Sequence, residues 1–242
     1  MPWRLPVISL FLPILALTQP AVPNLPQLAP GSSEIRGKIT ITRKPEVREG
    51  RLLDPLIARY PTHEGNEATL LMHSAKSMAW KLSERSVVFL ESEELDRGHY
   101  PLPERKPLLD QRNLQFHPQV LPILVGTTVD FPNRDNLFHN VFSYSQAKEF
   151  DLGRYPRNDS RSVTFDKPGF VRVYCDIHSN MSATILVLRN PFFATPGDDG
   201  GYVISNVPAG KYTLALWYDR DVVERRQIEI KSGELMQVDF TY

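Results

Sequence analysis

The segment Cys175-Asp176-Ile177-His178-Ser179-Asn180-Met181 brings a thiol, an imidazole and a thioether together within seven residues. Soft sulfur donors with imidazole suit a copper ion that must be stable in both oxidation states. Two histidines and one cysteine in a plane, with a long axial methionine, make the blue-copper arrangement. Two residues separate successive donors. That spacing suits a short loop wrapped round one ion, because a continuing strand would point Cys175 and His178 to opposite faces. The remaining histidine must come from elsewhere, and His139 is the best candidate. It stands in Leu137-Phe138-His139-Asn140-Val141 in phase with Leu137 and Val141, so it is expected to face inward.

The elements that must position these residues read as strands. Val171, Val173 and Cys175 share one face of a strand, with Arg172 and Tyr174 on the other, so Cys175 points into a core at the strand's end. Leu121 to Val125, Gly126, then Thr127 to Phe131 form strand, turn and strand. Phe138 to Tyr144, Ser162 to Phe165 and Ala183 to Leu188 continue the series. Asp166-Lys167-Pro168-Gly169 is a turn in which proline fixes φ and glycine takes the positive-φ position. Short strands joined by turns predict an all-β fold of the sandwich type.

Outside this block, Ile35 to Thr42 alternates as a strand, Ala68 to Trp80 suits a short helix, and Ser86 to Leu90 is a further strand. Residues 92–107 are charged and proline-rich, as a loop would be. Near the C-terminus, Tyr202 to Ile204, Val207 to Leu214 and Gln237 to Tyr242 read as strands, with no cluster suited to catalysis.

Arg4 followed by an apolar run, Leu5 to Leu17, predicts an export signal over residues 1–18, with cleavage near Ala16-Leu17-Thr18. Pro6 and Pro13 break the run, which is too short for a comfortable membrane span. No other segment is suited to crossing a bilayer, so a periplasmic or secreted location is expected, with no membrane span after signal removal. Residues 19–33 have the composition of a tether. The 242 residues carry 28 basic and 28 acidic side chains, and a net charge of zero gives no reason to expect nucleic acid as a partner. Cys175 is the single cysteine. An unpaired thiol in an exported protein needs protection, either by burial or by a metal.

These residues resemble a known family. Val125-Gly126-Thr127-Thr128-Val129-Asp130-Phe131-Pro132-Asn133, His139-Asn140-Val141 and Cys175-x-x-His178-x-x-Met181 are similar to cupredoxins of the plastocyanin and amicyanin branch. The resemblance covers residues 107–190 and implies a Greek-key β-sandwich holding one type 1 copper ion. His139 and His178 would bind through ring nitrogen, Cys175 as thiolate and Met181 as weak axial ligand. It further implies that the Asn140 backbone donates to the cysteine sulfur while its side chain ties the ligand loops together. Ile177 stands where those relatives carry proline. It keeps an N–H that is expected to donate a second hydrogen bond to the sulfur and raise the reduction potential.

Asp199-Gly200-Gly201-Tyr202-Val203-Ile204 through Val207-Pro208-Ala209-Gly210-Lys211-Tyr212 resembles the regulatory-like, transthyretin-type β-sandwich appended to carboxypeptidases. Residues 34–106 with 191–242 would form this second, smaller sandwich. The strand near 86–91 fits either sandwich from sequence alone.

The function these features imply is single-electron transfer with a redox partner protein such as a cytochrome c or a dehydrogenase. A filled coordination shell leaves no position for substrate, so the chain is expected not to be an enzyme. An enzyme of the nitrite-reductase or multicopper-oxidase kind would need additional His-x-His or His-Cys-His motifs, and the sequence has neither. A copper carrier or scavenger using the same ligands is the alternative, and a metal-free binding module would require the four residues to coincide by accident. Phe138, Phe142, Phe192 and Phe193 are candidates for a docking patch or for core. His63, His73, His99 and His117 have no partner at metal spacing, and His117 reads as structural.

Overall fold

The computed structural model describes residues 33–42 and 81–242. The expected signal peptide, the tether up to residue 32, the helix expected over Ala68–Trp80, His63 and His73 lie outside the described residues. Among those described, no helix is long and apolar enough to cross a membrane.

The fold is all-β, and its strands form four successive layers. The first holds two small sheets, the hairpin β3 (Asp110–Arg112) with β4 (Gln115–His117), and β6 (Thr128–Pro132) with β9 (Ser160–Thr164). The second is a five-stranded sheet ordered β5 (Val120–Leu124), β11 (Ser182–Leu188), β10 (Gly169–Tyr174), β7 (His139–Ser145) and β8 (Lys148–Tyr155). The third is β12 (Phe193–Ala194), β2 (Ser86–Glu91), β14 (Gly210–Tyr218) and β15 (Asp221–Ile230). The fourth is β13 (Gly201–Val207), β1 (Ser33–Thr40) and β16 (Leu235–Gln237), with β17 (Phe240–Thr241) also on β1. Two one-turn helices, α1 (Leu82–Arg85) and α2 (Glu93–Asp96), flank β2.

The layers follow from how strand side chains alternate. In β11, Ala183, Ile185 and Val187 enter the core against β6 and β9, while Leu186 on the opposite face meets the third layer. In β2, Val88 and Leu90 enter the core against the fourth layer while Val87 and Phe89 face the second. Strands buried on both faces read as continuous apolar runs, Val87-Val88-Phe89-Leu90 and Ile185-Leu186-Val187-Leu188. The middle interface, where the two sandwiches meet, is apolar: Val120, Leu186, Val87, Phe89, Ala215 and Trp217 form it. The Phe170 ring meets Trp217 edge-on at 4.8 Å.

Two chain crossings join the sandwiches, and Asn190 fastens both. Its buried amide donates to Leu90 O (3.0 Å) and to Asp96 Oδ1 (2.7 Å), while its oxygen accepts from Phe192 N–H (3.1 Å).

Several expectations are adjusted. The 86–91 strand pairs with β14 and β12 in the third layer, because its doubly apolar sequence is buried between two sheets. The loop at 92–107 contains α2, started by Ser92, whose side chain accepts from Leu95 N–H. The single closing strand expected at Gln237–Tyr242 is instead two short ones, both parallel to β1. Strands β3, β4, β8, β12 and β15 are additional to those expected.

Candidate metal centre

His139 opens β7 and is completely buried, sharing the inward face with Val141. Leu137, expected in the same phase, precedes the strand and is half exposed, because the turn that delivers the chain to β7 breaks the alternation. Cys175 extends the inward face of β10 beyond Val171 and Val173. The ladder between β10 and β11 runs one rung further, with Cys175 N–H donating to Met181 O (3.2 Å). Met181 N–H donates to His178 O (3.0 Å), so the loop from Cys175 to Met181 is closed by its own backbone. Met181 is buried in the same core as Cys175, Val173 and Ala183.

Three donor atoms converge. His139 Nδ1 and His178 Nδ1 lie 3.0 Å apart, and Cys175 Sγ is 3.9 Å from the first and 3.8 Å from the second. A point equidistant from the three sits about 2.1 Å from each, which falls among ordinary metal–nitrogen and metal–thiolate bond lengths of about 2.0–2.3 Å. The donor set therefore fits a small metal ion with three ligands in one plane. Histidine and thiolate donors suit copper or zinc, and Met181, a soft thioether, is buried in the same core as Cys175.

Asp135, absent from the sequence-based candidates, supports His139 from behind. Its Oδ2 lies 2.8 Å from His139 Nε2 and accepts from Leu114 N–H at 2.9 Å, while Oδ1 accepts from Asn113 N–H at 2.6 Å. Burial opposes ionisation of this carboxyl, but the bonds from Leu114, His139 and Asn113 outweigh it and hold the group below its ordinary value. Burial is also the main cause that lowers the His178 value, reinforced by neighbouring His139 and opposed by Asp135 and Asp176. The only sequence signal for Asp135 is a carboxylate four residues before a candidate ligand, in a segment with no helical pattern to make that spacing meaningful.

The Asn140 side chain departs from the role the resemblance implies. Its amide donates to Asp151 Oδ1 on β8 (2.6 Å), an oxygen that also accepts from Gly153 N–H (2.7 Å). A charged acceptor across the β7–β8 bulge is stronger than a neutral one on the ligand loop, so the side chain braces β8. Ile177 sits at the surface, 39% exposed. Arg154 on β8 pairs with Asp176 at 3.1 Å, an exposed link between β8 and the ligand loop. Of the four phenylalanines considered for docking, Phe138 is exposed (57%) and Phe192 is buried, whereas Phe142 and Phe193 are intermediate. His117 lies 3.5 Å from Glu84 and is not part of the donor cluster, and His99 is exposed.

No family model matches the chain, and no curated protein matches its sequence. Among solved structures, it is similar to a copper-containing nitrite reductase from Thermus scotoductus SA-01. That match is 28% identical over 38% of this chain and 24% of the other, with a TM-score of 0.34. The chain thus spans about a quarter of that protein's length. It is also similar to a purple cupredoxin from Nitrosopumilus maritimus, at 25% identity over 34% of this chain and 96% of the other (TM-score 0.30). A reduced amicyanin variant matches at 20% identity over 42% of this chain and 98% of the other (TM-score 0.34).

Proposed function

We propose that this chain is an exported single-copper protein of the cupredoxin type that carries one electron at a time between partner proteins. The observation that carries this reading is the triangle of His139 Nδ1, His178 Nδ1 and Cys175 Sγ, with Met181 buried in the same core as Cys175. Copper held there would supply a one-electron couple. The residues around it are built to keep their positions: His139 is sealed and braced by Asp135, and the Cys175–Met181 loop is pinned by two backbone hydrogen bonds. Ligands that do not move between oxidation states keep the reorganisation small. His178, the partly exposed donor, gives a partner its approach to the site. Exposed Leu114, Leu137, Phe138 and Ile177, which flank the ligands or the Asp135 brace in chain and bonding, form the apolar rim on which a cytochrome c or a dehydrogenase would dock.

Residues 1–18 act as the export signal in this reading and place the mature protein in the periplasm or outside the cell. The third and fourth layers, drawn from both ends of the chain, serve as a regulatory-like sandwich that carries the copper domain and contributes no chemistry.

The test is a visible absorption spectrum of the mature protein with one equivalent of Cu(II), repeated on Cys175→Ser. An intense thiolate-to-copper band in the wild type and its absence in the variant are expected. A colourless wild type would overturn the electron-transfer reading in favour of a Cu(I) carrier or a metal-free module.

A further inference from the structure

We propose that the bulge in β8 is a positioning device for the donor cluster. It lets one strand hold both the segment that carries His139 and the loop that carries Cys175 and His178, with Asp151 and Arg154 as the positioning residues. Ser145, Tyr144, Ser143 and Phe142 of β7 pair in step with Lys148, Glu149, Phe150 and Asp151 of β8. Beyond the bulge, Asn140 stands opposite Arg154 and His139 opposite Tyr155, so β8 carries one residue more than β7 over this stretch. Without the extra residue, the first register would continue with Gly153 opposite Asn140 and Arg154 opposite His139. A slip of one residue exchanges the two faces of a strand. Arg154 would then point into the core beside His139, and Tyr155, which is completely buried, would turn to solvent. The bulge keeps the tyrosine inside and leaves the Arg154 side chain 64% exposed, where it pairs at 3.1 Å with Asp176, between Cys175 and His178 in the chain. Re-aiming a side chain beside a site is a recurrent use of such bulges.

The bulge is held from both sides. Gly153 sits at φ 63°, a conformation that glycine adopts without strain, and its N–H donates to Asp151 Oδ1 at 2.7 Å. The same oxygen accepts from Asn140 Nδ2 at 2.6 Å, so one carboxylate both shapes the bulge and grips the residue next to His139. From β9, the Arg161 guanidinium donates to the carbonyls of Leu152 and Arg154 and lies over the Tyr155 ring, 4.9 Å from its centre. The two ties to the donor segments differ in strength. Asn140 is buried and its acceptor is a carboxylate, which makes that bond charge-assisted. The pair of Arg154 with Asp176 is exposed and screened by water, so it contributes little by itself. Asp151 is therefore the main hold, and Arg154 extends it to the loop.

The role toward the metal rests on the copper reading, whereas the hold of β8 on the loop is measured without a metal. In the metal-free wild type, amide hydrogen exchange should be slow at Gly153, Cys175 and Met181, whose N–H groups are all bonded. Asp151→Ala should lose that protection at all three positions. Its Cu(II) affinity, measured by competition with a chelator, should fall about 10–100-fold, with a changed copper hyperfine splitting in electron paramagnetic resonance. Arg154→Ala should lose up to about five-fold, and should add nothing in the Asp151→Ala background, where the bulge no longer aims it. Asp151→Asn keeps an acceptor oxygen for both N–H groups and should recover most of the affinity. Tyr202→Phe, in the other sandwich, should lower stability without moving loop exchange, affinity or hyperfine splitting. Asp151→Ala or Asp151→Asn behaving like Tyr202→Phe, with wild-type loop protection and affinity, would overturn the positioning role. Fully additive losses from Asp151→Ala and Arg154→Ala would overturn the aiming of Arg154 by the bulge. A wild type that binds no copper would defeat the functional reading, and exchange in the metal-free protein would still decide whether β8 holds the loop.

Discussion

The two sandwiches are built on the same plan and filled differently. In the sandwich made by the third and fourth layers, the shared core is Ile35, Ile39, Val88, Leu90, Leu214, Leu216, Phe240 and their neighbours, and the buried polar side chains, Ser33, Glu34, Ser86 and Asn190, sit at strand ends and at the joint. In the other, Gln111, Asn133, His139 and Asn140 are buried alongside an equally apolar core, and the last three lie in or close to the segment that delivers His139. Buried polar side chains cost stability unless every one is bonded. The sandwich of the first two layers carries more of that cost, much of it near one rim, while the other supplies mostly apolar burial and a firm back wall. The difference shows where the chain departs from packing logic, and those departures coincide with the donor cluster.

The comparison is broken most directly at the wall the sandwiches share. Trp217 is essentially buried between them and stacks edge-on with Phe170. Trp217→Ala should cost about 3–5 kcal/mol in denaturant unfolding and split a single transition into two. Retention of one cooperative transition with little loss would mean that the interface contributes little. A finer contrast is provided by one buried tyrosine in each sandwich. Tyr202 donates to Val238 O (2.6 Å), whereas Tyr155 donates to Phe131 O (2.9 Å) and also accepts from Gln111 Nε2 (2.6 Å). Burial is the leading cause that pushes both phenols well above their ordinary value. The unfolded chain ionises them near the ordinary value of about 10 while the folded chain keeps them neutral, so their contribution is complete below that pH and declines above it. Tyr155→Phe, which strips Gln111 of a partner, should cost about 1–3 kcal/mol at pH 7, against about 0.5–1.5 kcal/mol for Tyr202→Phe. Each should flatten the alkaline decline seen in unfolding curves at pH 7 and 11, and equal costs would show that the two interiors are energetically alike.

The smallest effect concerns the ligand loop. If the Ile177 N–H supports the thiolate when the metal is bound, Ile177→Pro should lower the reduction potential by about 20–60 mV, the equivalent of one modest hydrogen bond. Voltammetry that finds no change, or an increase, would remove Ile177 from the group of residues that tune the site.

Much of this architecture was legible in the sequence because burial on both faces leaves an unbroken apolar run, as in β2 and β11, and burial on one face leaves alternation, as in β10. The approach of Cys175 to His178 was legible because their spacing is local. β8 and β15 were not, since Lys148-Glu149-Phe150-Asp151 and Glu224-Arg225-Arg226 place charges on outer strands that have a neighbour on only one side. Asp135 was hidden for a different reason. Its partners Asn113 and Leu114 are about twenty residues away and meet it through backbone N–H groups, which any residue type supplies. The Asn140 amide was misassigned because sequence does not say which acceptor wins, and Asp151 stands across a bulge that no local pattern announces.

The Asn190 fastening makes the molecule a ruler. One amide grips the outgoing strand at Leu90, the helix at Asp96 and the returning chain at Phe192, with an apolar wall directly behind it. A joint tied at both crossings and backed by packed side chains has no pivot. Whatever is anchored to the far sandwich therefore meets the donor rim at a constant reach and angle.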